Sequence, residues 1–80
     1  MKLLGKVLHL GVKGPILKAS FPPKVGQPVF NSKKKRMGNI YDLFGPVKSP
    51  YVIIKPASGV SGEKLVGVSL YIMEEGKRRR

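Results

Sequence analysis

The chain has 80 residues and a mass of 8.8 kDa, and its 16 Lys or Arg against 4 Asp or Glu give a net charge of +12. A hydrophobic content of 41% is typical of a folded domain, and the length allows only one. The absence of cysteine excludes disulfides and thiolate chemistry, and the single histidine excludes a His-ligated metal cluster. We therefore expect no metal site and no cofactor.

The start of the chain is apolar but does not predict a targeting or membrane segment. Gly5, Lys6 and His9 interrupt it before it reaches the length of a signal-peptide core. No apolar run approaches the roughly 20 residues that a membrane span needs. We therefore expect a cytoplasmic protein without a membrane partner. So positive a chain usually binds a polyanion, either nucleic acid or an acidic surface.

Glycine and proline divide the chain into six short apolar segments, none of which has helical periodicity. The predicted strands cover residues 3–10, 16–20, 28–30, 37–44, 51–55 and part of 65–73. Short strands at this spacing are typical of an antiparallel barrel. The sequence therefore predicts an all-β protein, a small six-stranded antiparallel closed barrel over residues 1–73. Residues 74–80 are predicted to be a flexible, basic C-terminal tail.

Half of the cations lie in two short runs. The first run is Lys33, Lys34, Lys35 and Arg36, and the second is Lys77, Arg78, Arg79 and Arg80. Each run has two interpretations: a solvated turn or frayed terminus, or a site that attracts a phosphate backbone. Neither run contains the aromatic residues with which single-strand binders stack bases, so the sequence does not predict base-specific recognition.

Several predicted strands are apolar on both faces, most clearly Tyr51, Val52, Ile53 and Ile54. A strand with one face in solvent should alternate apolar and polar residues. The interior of a small barrel takes only every second residue. The surplus predicts an exposed apolar patch that binds a partner, unless a folded-back loop or the N-terminal segment covers it.

Few residues could support acid–base catalysis. The candidates are His9, Asp42, Glu63, Glu74 and Glu75. None is predicted to lie beside another group with a separated pKa, as general acid–base chemistry requires. A hydrogen bond to the backbone or a lysine partner explains Asp42 better than catalysis does. The glycines also lack the spacing of a phosphate-binding loop, so we expect a protein without enzyme activity.

The most distinctive segment covers residues 38–51, with the sequence GNIYDLFGPVKSPY. Gly45 and Pro46 end a strand abruptly, and Pro50 starts a new extended segment. The turn between the two prolines is stiff, so it has little conformational freedom left to lose. A rigid apolar loop of this kind suits docking because rigidity lowers the entropic cost of association.

This segment resembles the Gar/Naf family of small β-barrel proteins, accessory subunits of archaeal box H/ACA ribonucleoproteins. The resemblance lies in the glycine, the apolar–aromatic–Asp strand, the FGPV of residues 44–47 and the PY of residues 50–51. Weaker matches extend it over about residues 4–72. It implies a six-stranded barrel of the translation-factor and reductase type. It also implies docking on the catalytic domain of a dyskerin-like pseudouridine synthase.

The resemblance further implies a role without catalysis. Members of the family influence the thumb loop of the synthase, and so the loading and release of substrate RNA in rRNA pseudouridylation and ribosome biogenesis. Contact with the guide and substrate RNA would be mostly indirect. Eukaryotic relatives carry long glycine–arginine-rich flanks, and the short basic end of this chain fits an archaeal form.

We expect the partner-binding residues to lie within and just after this segment. They are Gly38, Ile40, Leu43, Phe44, Gly45, Pro46, Val47, Tyr51 and Val52. The two glycines would shape the backbone, and some of the other seven must face the core because strand side chains alternate. Without its partner, the isolated chain is expected to self-associate through this face at high concentration.

The main alternative is a direct RNA-binding barrel of the OB, cold-shock or ribosomal-protein type. Such a protein needs stacking aromatic residues on an exposed basic sheet face. The aromatic residues of this chain are scattered along the sequence, about one per strand or loop. A barrel domain of a larger translation factor is a further alternative, with less support from the sequence.

Overall fold

The computed structural model describes residues 2–73, so the predicted tail at 74–80 lies outside the described residues. The strands are β1 (Lys2–Gly11), β2 (Gly14–Lys18), β3 (Pro28–Phe30), β4 (Arg36–Phe44), β5 (Tyr51–Pro56) and β6 (Ser69–Ile72), with helix α1 (Gly62–Leu65) before β6. They close in the order β1-β2-β5-β4-β3-β6, and every neighbouring pair is antiparallel. The predicted six-stranded closed barrel is confirmed.

The structure corrects two details of the predicted elements. Residues 62–65 form one helical turn where no helix was predicted, because a single turn is too short to produce helical periodicity. Strand β2 begins and ends two residues earlier than predicted. The chain then leaves the strand but stays attached: the Ala19 N–H donates to the Pro50 carbonyl (2.9 Å), and the Ser20 N–H donates to the Leu4 carbonyl (2.9 Å).

Alternate strand residues fill the barrel interior, and side chains from two connections complete the core. The core residues are Leu4, Val7, Leu17, Ala19, Val29, Ile40, Val52, Ile54, Leu65, Leu70 and Ile72. Leu65 of α1 is only 1% exposed. Ala19, which follows β2, is also buried. Helix α1 and the connection after β2 therefore add apolar volume that the strands alone do not supply.

A β-bulge in β4 decides which of its residues face outwards. Ile40 pairs with Ile54 and Asp42 pairs with Ile53, so Tyr41 is an extra residue in the strand. A bulge reverses the direction of the side chains that follow it. Asp42 is consequently exposed instead of entering the core, and Phe44 points outwards.

Because every strand pair is antiparallel, the connections gather at two opposite ends of the barrel. The proline end is formed by Lys2, Met73 and the loops at 19–27 and 45–50. The helix end is formed by the turn at 12–13, the hairpin loop at 31–35 and the connection at 57–68, which contains α1. The loop at 45–50, within the segment that resembles the Gar/Naf family, and the hairpin loop with the three lysines of the first basic run therefore lie at opposite ends.

Gly38 is expected to be required for the fold because a Cβ at this position would collide with the carbonyl oxygen of Lys55 on β5. Substitution Gly38→Ala should lower the free energy of unfolding by about 1–3 kcal/mol, the usual cost of overpacking. Urea unfolding followed by circular dichroism measures the change.

Gly62→Ala is the matched control. There the nearest atoms to a Cβ would be side-chain atoms of Leu10 and Pro15, at 3.1 to 3.4 Å, instead of a backbone carbonyl oxygen. It should leave the free energy of unfolding close to that of the wild type. Equal midpoints for Gly38→Ala and Gly62→Ala would show that the approach of β4 to β5 does not require glycine.

Candidate functional site

An apolar groove of about 260 Å³ lies at the proline end. It is lined by Pro22, Leu43, Phe44, Gly45, Pro46, Val47 and Pro50. None of these residues has a charged or hydrogen-bonding side chain. The groove can therefore bury apolar surface, but it offers only backbone groups for polar recognition.

Local backbone geometry explains the shape of the loop that forms the groove. Gly45 has a φ of 92°, a conformation that favours glycine, and it turns the chain directly after β4. Pro50 is buried, and its carbonyl accepts the hydrogen bond from the Ala19 N–H. Val47, between these two anchored positions, is 85% exposed. The loop is thus held at both ends and presents an apolar side chain to solvent.

Two aromatic rings extend the apolar surface from the groove onto the outer face of the barrel. Phe44 and Tyr51 are paired in register on β4 and β5, and their ring centroids lie 5.3 Å apart at an interplanar angle of 21°. The next strand places Lys18 opposite Tyr51, with its Nζ 5.7 Å from the ring centroid. Phe44 remains 47% exposed. The rings are therefore pre-arranged for contact.

The structure brings together six of the nine residues predicted to bind a partner. They are Leu43, Phe44, Gly45, Pro46, Val47 and Tyr51, which line the groove or adjoin it. Gly38, Ile40 and Val52 are buried within the barrel wall and core. A partner could reach these three only if the barrel opened, so we leave them out of the proposed contact surface.

Sequence reasoning missed the contribution of the connection between β2 and β3. Pro22 lines the groove although it lies more than 20 positions before the loop at 45–50. The Pro22-Pro23 pair indicated only the end of a strand. No local signal places Pro22 beside Val47, because that proximity follows from the path of the connection across the proline end.

Part of the predicted apolar surplus is covered. Ile53 points away from the core residues Val52 and Ile54, yet it is only 9% exposed. It lies between Ile16 of β2 and Asp42 of β4 in the sheet. The outer surface of β5 is therefore less available to a partner than the sequence pattern predicts, and the groove is the better candidate.

The first basic run forms an ordered hairpin at the helix end. The Oδ1 of Asn31 accepts hydrogen bonds from the N–H groups of Lys33 (2.9 Å) and Lys35 (3.0 Å). The Lys34 N–H donates to the Asn31 carbonyl (3.0 Å), and the φ of Lys34 is 68°. All three lysines and Arg36 are exposed. We call this loop and Arg36 the basic hairpin. The second basic run, Lys77 to Arg80, lies outside the described residues.

The acid–base candidates do not form a catalytic arrangement in the part of the chain that the structure describes. His9, Asp42 and Glu63 are exposed on separate elements, and the Oδ1 of Asp42 accepts a hydrogen bond from the Leu43 N–H (2.8 Å). Within residues 2–73 no group of three or more His, Asp or Glu side chains could hold a metal ion. Glu74 and Glu75 are outside this range.

Between residues 2 and 73, no helix is long and apolar enough to cross a membrane.

The protein is thus a closed barrel with an apolar groove at one end and a basic hairpin at the other. Comparison with known proteins places it more closely. The family described as "Gar1/Naf1 RNA binding region" matches residues 1–78. A protein of Methanothermobacter thermautotrophicus, described as uncharacterized, is 38% identical over 89 aligned positions, which cover 100% of this chain and 97% of the relative.

The chain therefore belongs to the Gar1/Naf1 family, and the resemblance stated from the sequence is confirmed. Membership supports an RNA-related accessory role. The family is an accessory RNA-binding family and not a catalytic one.

Lys34 occupies a backbone conformation that glycine adopts without steric cost. Lys34→Gly should therefore raise the free energy of unfolding by about 0.5–1 kcal/mol, because relief of roughly 1–2 kcal/mol of left-handed strain exceeds the entropy gained by the unfolded chain. Urea unfolding measures the change.

Lys34→Gln is the matched control because it removes the same charge but keeps the unfavourable φ. It should be less stable than Lys34→Gly. If the glutamine variant were as stable as the glycine variant, like-charge repulsion rather than backbone strain would account for the effect.

Proposed function

We propose that this protein is a non-catalytic accessory subunit of a box H/ACA ribonucleoprotein and docks on the dyskerin-like pseudouridine synthase through the groove at the proline end. Docking modulates the loading and release of substrate RNA during rRNA pseudouridylation, and so contributes to ribosome biogenesis in the archaeal cytoplasm. Membership of the Gar1/Naf1 family supports this assignment. Guide and substrate RNA belong to the same particle and are contacted mostly through the synthase.

The observation that carries the proposal is the exposed apolar loop between Gly45 and Pro50. Val47 projects into solvent from a loop that is anchored on both sides, and Phe44 stacks on Tyr51 beside it. Full burial of one such side chain contributes about 1.5–3 kcal/mol. Because the loop is already ordered, little of this gain is offset by lost conformational entropy.

The lining of the groove favours a protein partner over a small molecule. Sites for small ligands combine apolar walls with a few placed polar groups that fix orientation. The groove has apolar side chains only. Apolar residues with few charges are typical of the centre of a protein–protein interface. Without the synthase, the same surface explains why self-association is expected.

Val47→Asp and Tyr51→Ala should each weaken binding to the synthase by about 2 kcal/mol or more, roughly 30-fold, as truncation of an interface anchor usually does. Isothermal titration calorimetry measures the affinity, and circular dichroism verifies that each variant is folded.

Val12→Asp provides the matched control. Val12 is fully exposed at the helix end, with a relative exposure of 106%, and should contribute nothing to docking. The groove would be excluded as the docking site if both folded variants bound the synthase with wild-type affinity, or if Val12→Asp weakened binding equally.

Direct RNA binding is the second candidate function, and one arrangement favours it. The strand register places Lys18, Tyr51 and Phe44 in one row on the outer face, although they are scattered in the sequence. A base could stack on this row. However, Tyr51 already contacts Phe44 on one side and Lys18 on another, which leaves mainly the exposed part of Phe44 for a base.

Tyr51→Ala separates the two functions. If the row stacks bases, this variant should weaken binding of an isolated RNA by about 1–3 kcal/mol, the usual contribution of one base–aromatic contact. If the row docks on protein, RNA affinity should stay at the wild-type value while affinity for the synthase falls. Fluorescence anisotropy with a labelled single-stranded RNA measures the first quantity.

A further inference from the structure

Half of the twelve Lys and Arg residues between residues 2 and 73 lie at the helix end, and four of these six are consecutive in the basic hairpin. The exposed cations of this end are Lys13, Lys33, Lys34, Lys35, Arg36 and Lys64. Between residues 2 and 73 the acidic residues are Asp42 in β4 and Glu63 in α1, so Glu63 alone opposes these cations in the connections of this end. A surface of one sign attracts a polyanion over several ångströms before contact.

The basic hairpin presents its charges from an ordered backbone. Two hydrogen bonds to the Oδ1 of Asn31 and one to its carbonyl hold the loop. Arg36 is also positioned, since its Nη1 donates to the Oδ1 of Asn39 (2.9 Å), whose amide donates to the Gly26 carbonyl (3.0 Å). Binding an anion here requires no folding of the loop, which lowers the cost of association.

Lys34 points to a functional reason for the charge. Its φ of 68° lies in the left-handed region, where glycine is favoured and a lysine is strained. The chain thus carries a cation at a position where its backbone conformation favours a neutral glycine. Strained residues that the surrounding structure maintains are frequently found at binding sites.

We propose that the helix end binds the phosphodiester backbone of RNA through the basic hairpin, without recognising base sequence. The hairpin loop contains no aromatic residue on which a base could stack. Phosphate contacts by lysine and arginine supply affinity but carry no sequence information. The description of the family as an RNA-binding region favours RNA over an acidic protein surface as the occupant.

The position of the basic hairpin determines whether it is accessible when the groove is covered. The groove and the basic hairpin lie at opposite ends of the barrel. In so far as the proposed docking is correct, the hairpin stays accessible when the synthase covers the groove. The subunit then bridges the synthase and RNA, one contact at each end.

The test uses the full chain and two labelled RNA oligonucleotides of equal length and unrelated sequence. The variant Lys33→Gln/Lys34→Gln/Lys35→Gln should bind both more weakly than the wild type, with no preference for either sequence. The dependence of log affinity on log salt should become shallower by about 2, since each phosphate contact to a single strand contributes roughly 0.7. Fluorescence anisotropy over a potassium chloride series gives both quantities.

A matched control removes the same number of charges at the proline end, with Lys2→Gln/Lys24→Gln/Lys48→Gln. It should keep more of the wild-type affinity and salt dependence than the hairpin variant. Equal losses in the two variants would mean that net charge alone drives binding, and the proposed site would be wrong. Wild-type binding by the hairpin variant would also overturn it, because the contacts would then lie elsewhere on the chain.

Two further measurements distinguish RNA binding at the basic hairpin from binding of the synthase or of another acidic protein surface there. The hairpin variant should bind the synthase with wild-type affinity. A loss of affinity for the synthase would make the helix end part of the protein interface and overturn the RNA proposal, regardless of the affinity measured for Val47→Asp.

Competition with polyglutamate tests whether the basic hairpin binds an acidic protein surface instead of RNA. The RNA proposal stands if polyglutamate displaces the wild-type chain from RNA no better than it displaces the hairpin variant, because polyglutamate then does not bind at the basic hairpin. The RNA proposal falls if the hairpin variant loses affinity for polyglutamate but keeps wild-type affinity for RNA.

Discussion

Closure of six short strands into one small barrel is the constraint on which the rest of this structure depends. The interior accepts only alternate strand residues, so a chain this rich in apolar residues must place others in the connections or outside. Leu65 and Ala19 add to the core from the connections, and Ile53 is covered within the outer sheet. What remains exposed includes Val47 and about half of Phe44. The same packing limit therefore produces both the stable core and the surface proposed to dock.

The bulge at Tyr41 connects this constraint to the groove. Regular alternation from Ile40 would send Asp42 into the core, where an unpaired carboxylate is costly, and Phe44 after it. The extra residue turns both outwards and lets Leu43 pack against the core instead. Phe44 can then stack on Tyr51 at the rim of the groove. One inserted residue therefore keeps the Asp42 carboxylate in solvent and places Phe44 beside the groove.

Antiparallel closure also separates two kinds of recognition in space. Apolar contacts act only where surfaces touch, whereas phosphate attraction extends over about 8 Å at physiological ionic strength. With the groove and the basic hairpin at opposite ends, a protein that covered the groove would leave the basic hairpin exposed. In the proposed assembly, one barrel would contact the synthase at one end and RNA at the other.

The sequence by itself determined the number of strands, because glycine and proline act locally, and it located the stiff loop between Gly45 and Pro50. It also carried the family resemblance. Only the tertiary structure decided that Ile40 and Val52 are core residues, that Pro22 lines the groove, and that a single turn of helix completes the core. These features depend on strand register, on bulges and on the path of connections between distant segments. Strand register and the paths of connections are set by many weak contacts between residues far apart in the sequence, so no short stretch of sequence encodes them.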